Sequence, residues 1–196
     1  MPALRIRPST PADLAALEQL HLEGMAALWQ EFQRDRATVR AGRDRMRATL
    51  LSFLPQDLRG ARILDAGCGT GYAQADLQAR FPEAHRVALD LSPGKLQHVA
   101  TPCCRVAGDL EHLPLADNSL DLYWSSLAVQ WCDLAIALRE AQRTLRPGGI
   151  VALASLGPAT FHELRHAFAD VDEHRHTLAF HSPAEIRQLA SAAGLA

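Results

Sequence analysis

From Ala61 onward, the chain alternates short apolar runs with segments whose apolar residues recur at helical spacing. The runs are "RILDAG", "HRVALDLS", "CRVAGDL", "LDLYWSSLA" and "GGIVALASL", and between them lie "GYAQADLQARF", "PGKLQHVA" and "DLAIALREAQRTL". Apolar runs of this length suit strands buried on both faces, and helical crossovers join such strands in parallel. The pattern predicts an α/β domain built on a doubly wound parallel sheet. Residues 10–58 read differently, with helical spacing in "ADLAALEQLHLEGMAALWQEF" and "VRAGRDRMRATLLSFL". We therefore expect an N-terminal helical cap segment over 1–58 and the sheet domain over 59–196. "LPQDLRGAR" and "LRPGGI" punctuate the chain, and no internal repeat interrupts it.

With 196 residues, 48% of them hydrophobic, the chain can bury one core of ordinary size. Its formal charge of −2 gives no general attraction to nucleic acid. The N-terminal arginines precede no apolar signal region, and the longest apolar stretch is too short to span a bilayer. A cytoplasmic location is expected. Cys68, Cys103, Cys104 and Cys132 contain no C-x-x-C, which favours reduced thiols over a disulfide framework or zinc ribbon.

The stretch "ILDAGCGTGY" ends the first predicted strand in three alternating glycines, Gly67, Gly69 and Gly71. No lysine follows them as a P-loop requires, and Tyr72 stands where a dinucleotide fingerprint needs its third glycine. What remains is a turn that lets backbone approach a ligand closely, preceded by the acceptor Asp65. Asp90 ends the second strand, near the spacing of about 20 residues at which a carboxylate meets ribose hydroxyls, and Asp109 ends the third. Carboxylates at three strand ends suit a cationic nucleoside without phosphates; each could also simply cap the turn that follows it.

Together, D-x-G-x-G-x-G, the acid ending strand two, "GDLEHLP" and "RPGG" resemble class I S-adenosylmethionine-dependent methyltransferases. Within that class, residues 63–180 are similar to the biotin-pathway malonyl-[acyl-carrier protein] O-methyltransferases, through "VALDLSPGKL", "AGDLEHLPLADNSLDLYWSSLAVQWC" and "FHELRHAFADVDEHRHTLAF". The resemblance implies a Rossmann-like sheet, S-adenosylmethionine as cofactor, and a malonyl group on acyl-carrier protein, or malonyl-CoA, as acceptor. It places Asp65, Gly67, Gly69, Gly71, Asp90, Leu91, Asp109, Leu110 and Ser126 around the cofactor. Arg165 and His176 are then candidates to grip the substrate carboxylate, and Trp131 to wall the pocket or to pack as a buried aromatic. No general base is needed, because a carboxylate is already ionised near neutral pH.

The chain departs from the family at both ends. "LRIRPSTPADLAALEQLH" is like the opening of a GNAT-type acetyltransferase, but no acetyl-CoA loop follows. Residues 36–60 are more like the approach to magnesium-protoporphyrin O-methyltransferases, which keeps a porphyrin propionate open as acceptor. "SAAGLA" falls where the class would add a final strand pair, so a C-terminally incomplete sheet is expected, with "GIVALASL" at its edge. Two further features carry expectations of their own. Arg36, Arg40, Arg43 and Arg47 share one helical face, suited to an acidic carrier or to ordinary solvation. His162, Glu163 and His166 spell H-E-x-x-H, a helical zinc-hydrolase signature for which Glu185 could serve as third ligand. A domain that binds cofactor without catalysis is the remaining alternative.

Overall fold

The computed structural model describes residues 40–168 and 177–195. The chain divides into two compact units, Met1–Arg45 and Met46–Ala196. Of the first, residues 40–45 are described, and they are helical. The second opens with a helix over residues 46–52 (α1). Leu50, Leu51, Leu54 and Leu58 pack there against Ile63, Leu77 and Trp124. The expected division at residue 58 thus moves back to residue 45, because these leucines help to close one face of the sheet.

The strands are β1 (Arg62–Ala66), β2 (His85–Asp90), β3 (Cys104–Ala107), β4 (Leu120–Ser126) and β5 (Leu145–Ala154). They form one parallel sheet in the order β3-β2-β1-β4-β5. The helices are α2 (Gln74–Arg80), α3 (Pro93–Leu96), α4 (Leu134–Thr144), α5 (His162–Phe168) and α6 (Pro183–Ala192), with a 3-10 turn at Val129–Trp131. Successive side chains of a strand point to opposite faces. Accordingly Ile63, Leu122 and Trp124 pack beneath α1 and α2, while Leu64 and Tyr123 pack with Leu134, Leu138 and Ala141 of α4. Ile186, Leu189 and Ala190 of α6 extend that second layer.

The segment "RPGG" is not a plain linker. Between the pairs Leu120↔Leu145 and Leu122↔Ile150, β4 advances two positions and β5 advances five, so Arg146–Gly149 bulge out of the ladder. Arg146 turns back to pair with buried Asp121, whose Oδ2 also accepts Arg62 N–H at 2.7 Å. Strand order reverses between β1 and β4, which opens a crevice at the carboxyl ends of those two strands. Among the described residues, β3 and β5 are the sheet edges.

Candidate active site

The glycine loop fills this crevice, and its shape follows from close backbone approach. Gly67 has φ +75°, and a Cβ added there would lie 2.2 Å from the Cβ of Ala128, just beyond β4. Only glycine lets the loop pass so close to the end of the neighbouring strand. The N–H groups of Gly67 and Cys68 both donate to Leu89 O, at 2.8 and 2.9 Å. Gly69, with φ +59°, faces open space.

Asp90 ties this loop to β2. Its Oδ2 accepts Gly69 N–H at 2.9 Å, and its Oδ1 accepts Ser92 N–H at 2.9 Å with Lys95 Nζ at 3.7 Å. A carboxylate oxygen has two lone pairs, so each retains acceptor capacity for a ligand hydroxyl. Asp109 is partly exposed, and its Oδ1 accepts Glu111 N–H at 2.9 Å. Capping and ligand binding are therefore compatible roles for both acids.

Asp65 is 3% exposed and is held by Gln74 Nε2 at 2.8 Å. Burial pushes its carboxyl up to about 7, partly offset by the Gln74 hydrogen bond and the charge of Arg47. Gln74 was invisible to sequence reasoning; the one signal was a polar residue at the buried start of an amphipathic helix. Leu127 was missed as well. It follows β4 with φ +58°, unusual for a branched residue, and donates its N–H to Ala154 O at 2.8 Å. Gln130 Nε2 in turn donates to Leu127 O at 2.9 Å.

Ser126 is partly exposed at the end of β4, and Leu91 is 73% exposed after β2. The side chain of Leu110 is buried in the core, with Cδ1 3.7 Å from the Cβ position of Gly67, so it packs against the loop. Trp131 is no packed core aromatic, being 75% exposed because the 3-10 turn after β4 carries it outward. Arg165 donates to the carbonyls of Thr160 and Pro158, the latter at 2.6 Å, and so braces the segment after β5. His176 lies outside the described residues.

The arginine face is interrupted. Arg47 pairs with Asp76 at 3.1 Å and lies 6.0 Å from the Tyr72 ring centroid, so it belongs to the sheet unit's packing. Arg40 is exposed and Arg43 half-buried, while Arg36 lies outside the described residues. The H-E-x-x-H residues stand on α5, where His162 Nδ1 meets Glu163 Oε2 at 3.1 Å on an exposed surface. Glu185 is engaged elsewhere, in a capping box with Ser182 at the start of α6. Among the described residues no group of three His, Cys, Asp or Glu converges as a metal would require. Burial pushes Cys68 up to about 12 and Cys132 up to about 11, which makes both packing groups and poor nucleophiles. No helix among the described residues is long and apolar enough to cross a membrane.

This geometry fits a cationic nucleoside: an open glycine backbone, acids at the ends of β1 and β2 and just after β3, and exposed Tyr72 and Leu91 to meet apolar parts of the ligand. Comparison with known proteins agrees. The family model described as a methyltransferase domain matches residues 64–153. A malonyl-[acyl-carrier protein] O-methyltransferase of Dechloromonas aromatica is 75% identical over 174 residues, 87% of this chain and 66% of the relative. The protein of the same name from Gallionella capsiferriformans is 41% identical over 152 residues, 71% of this chain and 52% of the relative. The chain thus spans between half and two thirds of the length of these relatives. Among solved structures, an S-adenosylmethionine-dependent methyltransferase from Mesorhizobium loti superposes with a TM-score of 0.51 and 31% identity, covering 57% of this chain and 53% of that one. Motif, strand order and these relatives together make residues 64–153 a class I S-adenosylmethionine-dependent methyltransferase domain, in a chain that resembles the malonyl-[acyl-carrier protein] O-methyltransferases.

Proposed function

We propose that the protein methylates the free carboxylate of a malonyl thioester carried on acyl-carrier protein, in the cytoplasm and in the service of biotin synthesis. The observation that carries this reading is the 75% identity to the Dechloromonas aromatica relative of that name. Bound S-adenosylmethionine supplies an electrophilic methyl group on a sulfonium.

The chain's own residues would do the rest by placement. Gly67, Gly69 and Gly71 would let the backbone come close to the methionine part. Asp90 would offer its free lone pairs to the ribose, with Leu91 and Ser126 nearby and Asp109 toward the base. Leu110 would support the loop from the core. Aligning oxygen, methyl carbon and sulfur accounts for most of the catalysis needed, since the malonyl carboxylate is ionised already. Exposed Trp131 would cover the acceptor and keep water out. A guanidinium has five N–H donors, and two of those on Arg165 hold loop carbonyls. The remaining donors are available to grip a carboxylate, with His176 as the second candidate.

A methyl-transfer assay with labelled cofactor against malonyl-carrier protein, malonyl-CoA and a porphyrin dicarboxylate tests the reading. Malonyl thioesters should be labelled. Preferential labelling of the porphyrin would overturn the acceptor assignment.

A further inference from the structure

Asp65, the strand-end acid of β1, forms a buried pair with Gln74. Gln74 opens α2 with no solvent exposure; its Nε2 serves Asp65 Oδ2, and its Oε1 has no hydrogen-bond partner. Among side chains, a primary amide is unusual in serving a carboxyl group in either protonation state. It donates through nitrogen to a carboxylate or, turned by half a rotation, accepts through oxygen from a carboxylic acid. In the orientation observed, the oxygen half of this amide is the half without a partner.

Charges of both signs act on Asp65. Arg47 on α1 favours the carboxylate, and Asp90 at the end of β2 opposes it. The thiols of Cys68, in the loop, and Cys103, before β3, are held neutral by burial and add no charge to the surroundings of Asp65. Desolvation by the sheet and α2 then holds the carboxyl at about 7, far above its ordinary 3.8. A cation arriving in the adjoining glycine loop would tip this balance toward the carboxylate.

We propose that Gln74 is the positioning residue for Asp65, its amide exchanging acceptor for donor as Asp65 gives up its proton, so that the glycine loop takes up its cationic ligand with release of one proton. The inference rests on the reading that this loop binds S-adenosylmethionine. The balance is simple: a carboxylic acid in the empty site becomes a carboxylate in the loaded one, and the proton leaves to solvent. Below about pH 7 only the ionised fraction is ready to bind, so affinity should be about tenfold weaker near pH 6 than on its plateau.

Titration calorimetry of the full chain with S-adenosylmethionine, in two buffers of different ionisation enthalpy, counts the protons. Close to one should be released near pH 6. The ligand's own ammonium titrates nearer pH 8, so the comparison is made below about pH 7. Asp65→Asn, which has no proton to release, should abolish the linkage and flatten affinity over this range. Gln74→Leu should shift the affinity profile to higher pH, because the ionised form loses its donor. Binding by the wild type without proton release near pH 6, unchanged release in Asp65→Asn, or an unchanged profile in Gln74→Leu would each overturn the inference. The first two measurements decide it even if Gln74→Leu does not fold. A folded wild type that does not bind at all would overturn the cofactor reading, and this inference with it.

Discussion

Asp90 Oδ2 accepts the N–H of Gly69 at 2.9 Å, so the acid that ends β2 also fastens the middle of the glycine loop. Its other oxygen fastens the turn into α3 through Ser92. One side chain therefore sets the shape of the site and offers acceptors to whatever enters it.

Replacing Asp90 by alanine should accordingly reduce both affinity and stability. Loss of charge-assisted hydrogen bonds costs about 1.5–3 kcal/mol each, so calorimetry should show binding of S-adenosylmethionine weakened tenfold or more. The melting temperature should fall in parallel, because two backbone N–H groups lose their acceptor. Unchanged affinity would contradict the placement of the cofactor.

Gly67 and Gly69 make a matched pair of alanine substitutions. Both have positive φ, but only the first would drive a methyl group into Ala128. Gly67→Ala should cost about 1–3 kcal/mol from overpacking beyond the backbone penalty that it shares with Gly69→Ala. Adding Ala128→Gly to Gly67→Ala should recover part of the loss. Equal destabilisation in denaturant unfolding of the two single variants would show that the loop does not press on the end of β4.

The helix-borne Arg143 holds down the segment between β3 and β4. It pairs with Glu140 at 2.8 Å and Asp117 at 2.6 Å, and donates to the carbonyls of Leu113 at 3.0 Å and Leu115 at 2.9 Å. Arg143→Met should cost about 1–3 kcal/mol of stability. The hydrogen bond from Arg143 is the main reason that the Glu140 carboxyl lies below its ordinary 4.5. That contribution is present above the unfolded value and is lost as pH falls through the folded one. Thermal melts should therefore show a shallower acid-side loss of stability in Arg143→Met than in the wild type.

The placement of the glycines and strand-end acids was legible because it is local. The glycines must follow β1, and the acids must stand at or next to the carboxyl ends of their strands, so spacing alone places them together. Trp131, Leu110, Arg47 and Arg165 were harder because long-range packing or local folding decides their fate. An exposed turn carries Trp131 outward, the core takes Leu110, Asp76 claims Arg47, and two loop carbonyls claim Arg165. The bulge at Arg146–Gly149 escaped notice for a related reason: Pro and Gly look alike in a linker and in an interrupted ladder. H-E-x-x-H carried the opposite lesson, since its spacing is right while the proposed third ligand is spent on a helix cap.

Arg40 and Arg43 offer a test of the carrier as partner. Changing both to glutamate should slow methyl transfer to malonyl-carrier protein, most at low ionic strength, while sparing a short malonyl thioester. Equal loss on both substrates would point to damaged folding, and no loss on either would mark an ordinary solvated surface.

Intact-protein mass spectrometry reads methyl transfer to a malonyl carboxylate on a carrier without a coupled assay. Malonyl-acyl-carrier protein incubated with this chain and S-adenosylmethionine should gain the mass of one methylene unit, and mild esterase treatment should remove it. A folded, cofactor-binding protein that leaves the carrier's mass unchanged, or that adds the methyl group to a carrier lacking the malonyl carboxylate, would overturn the proposed function.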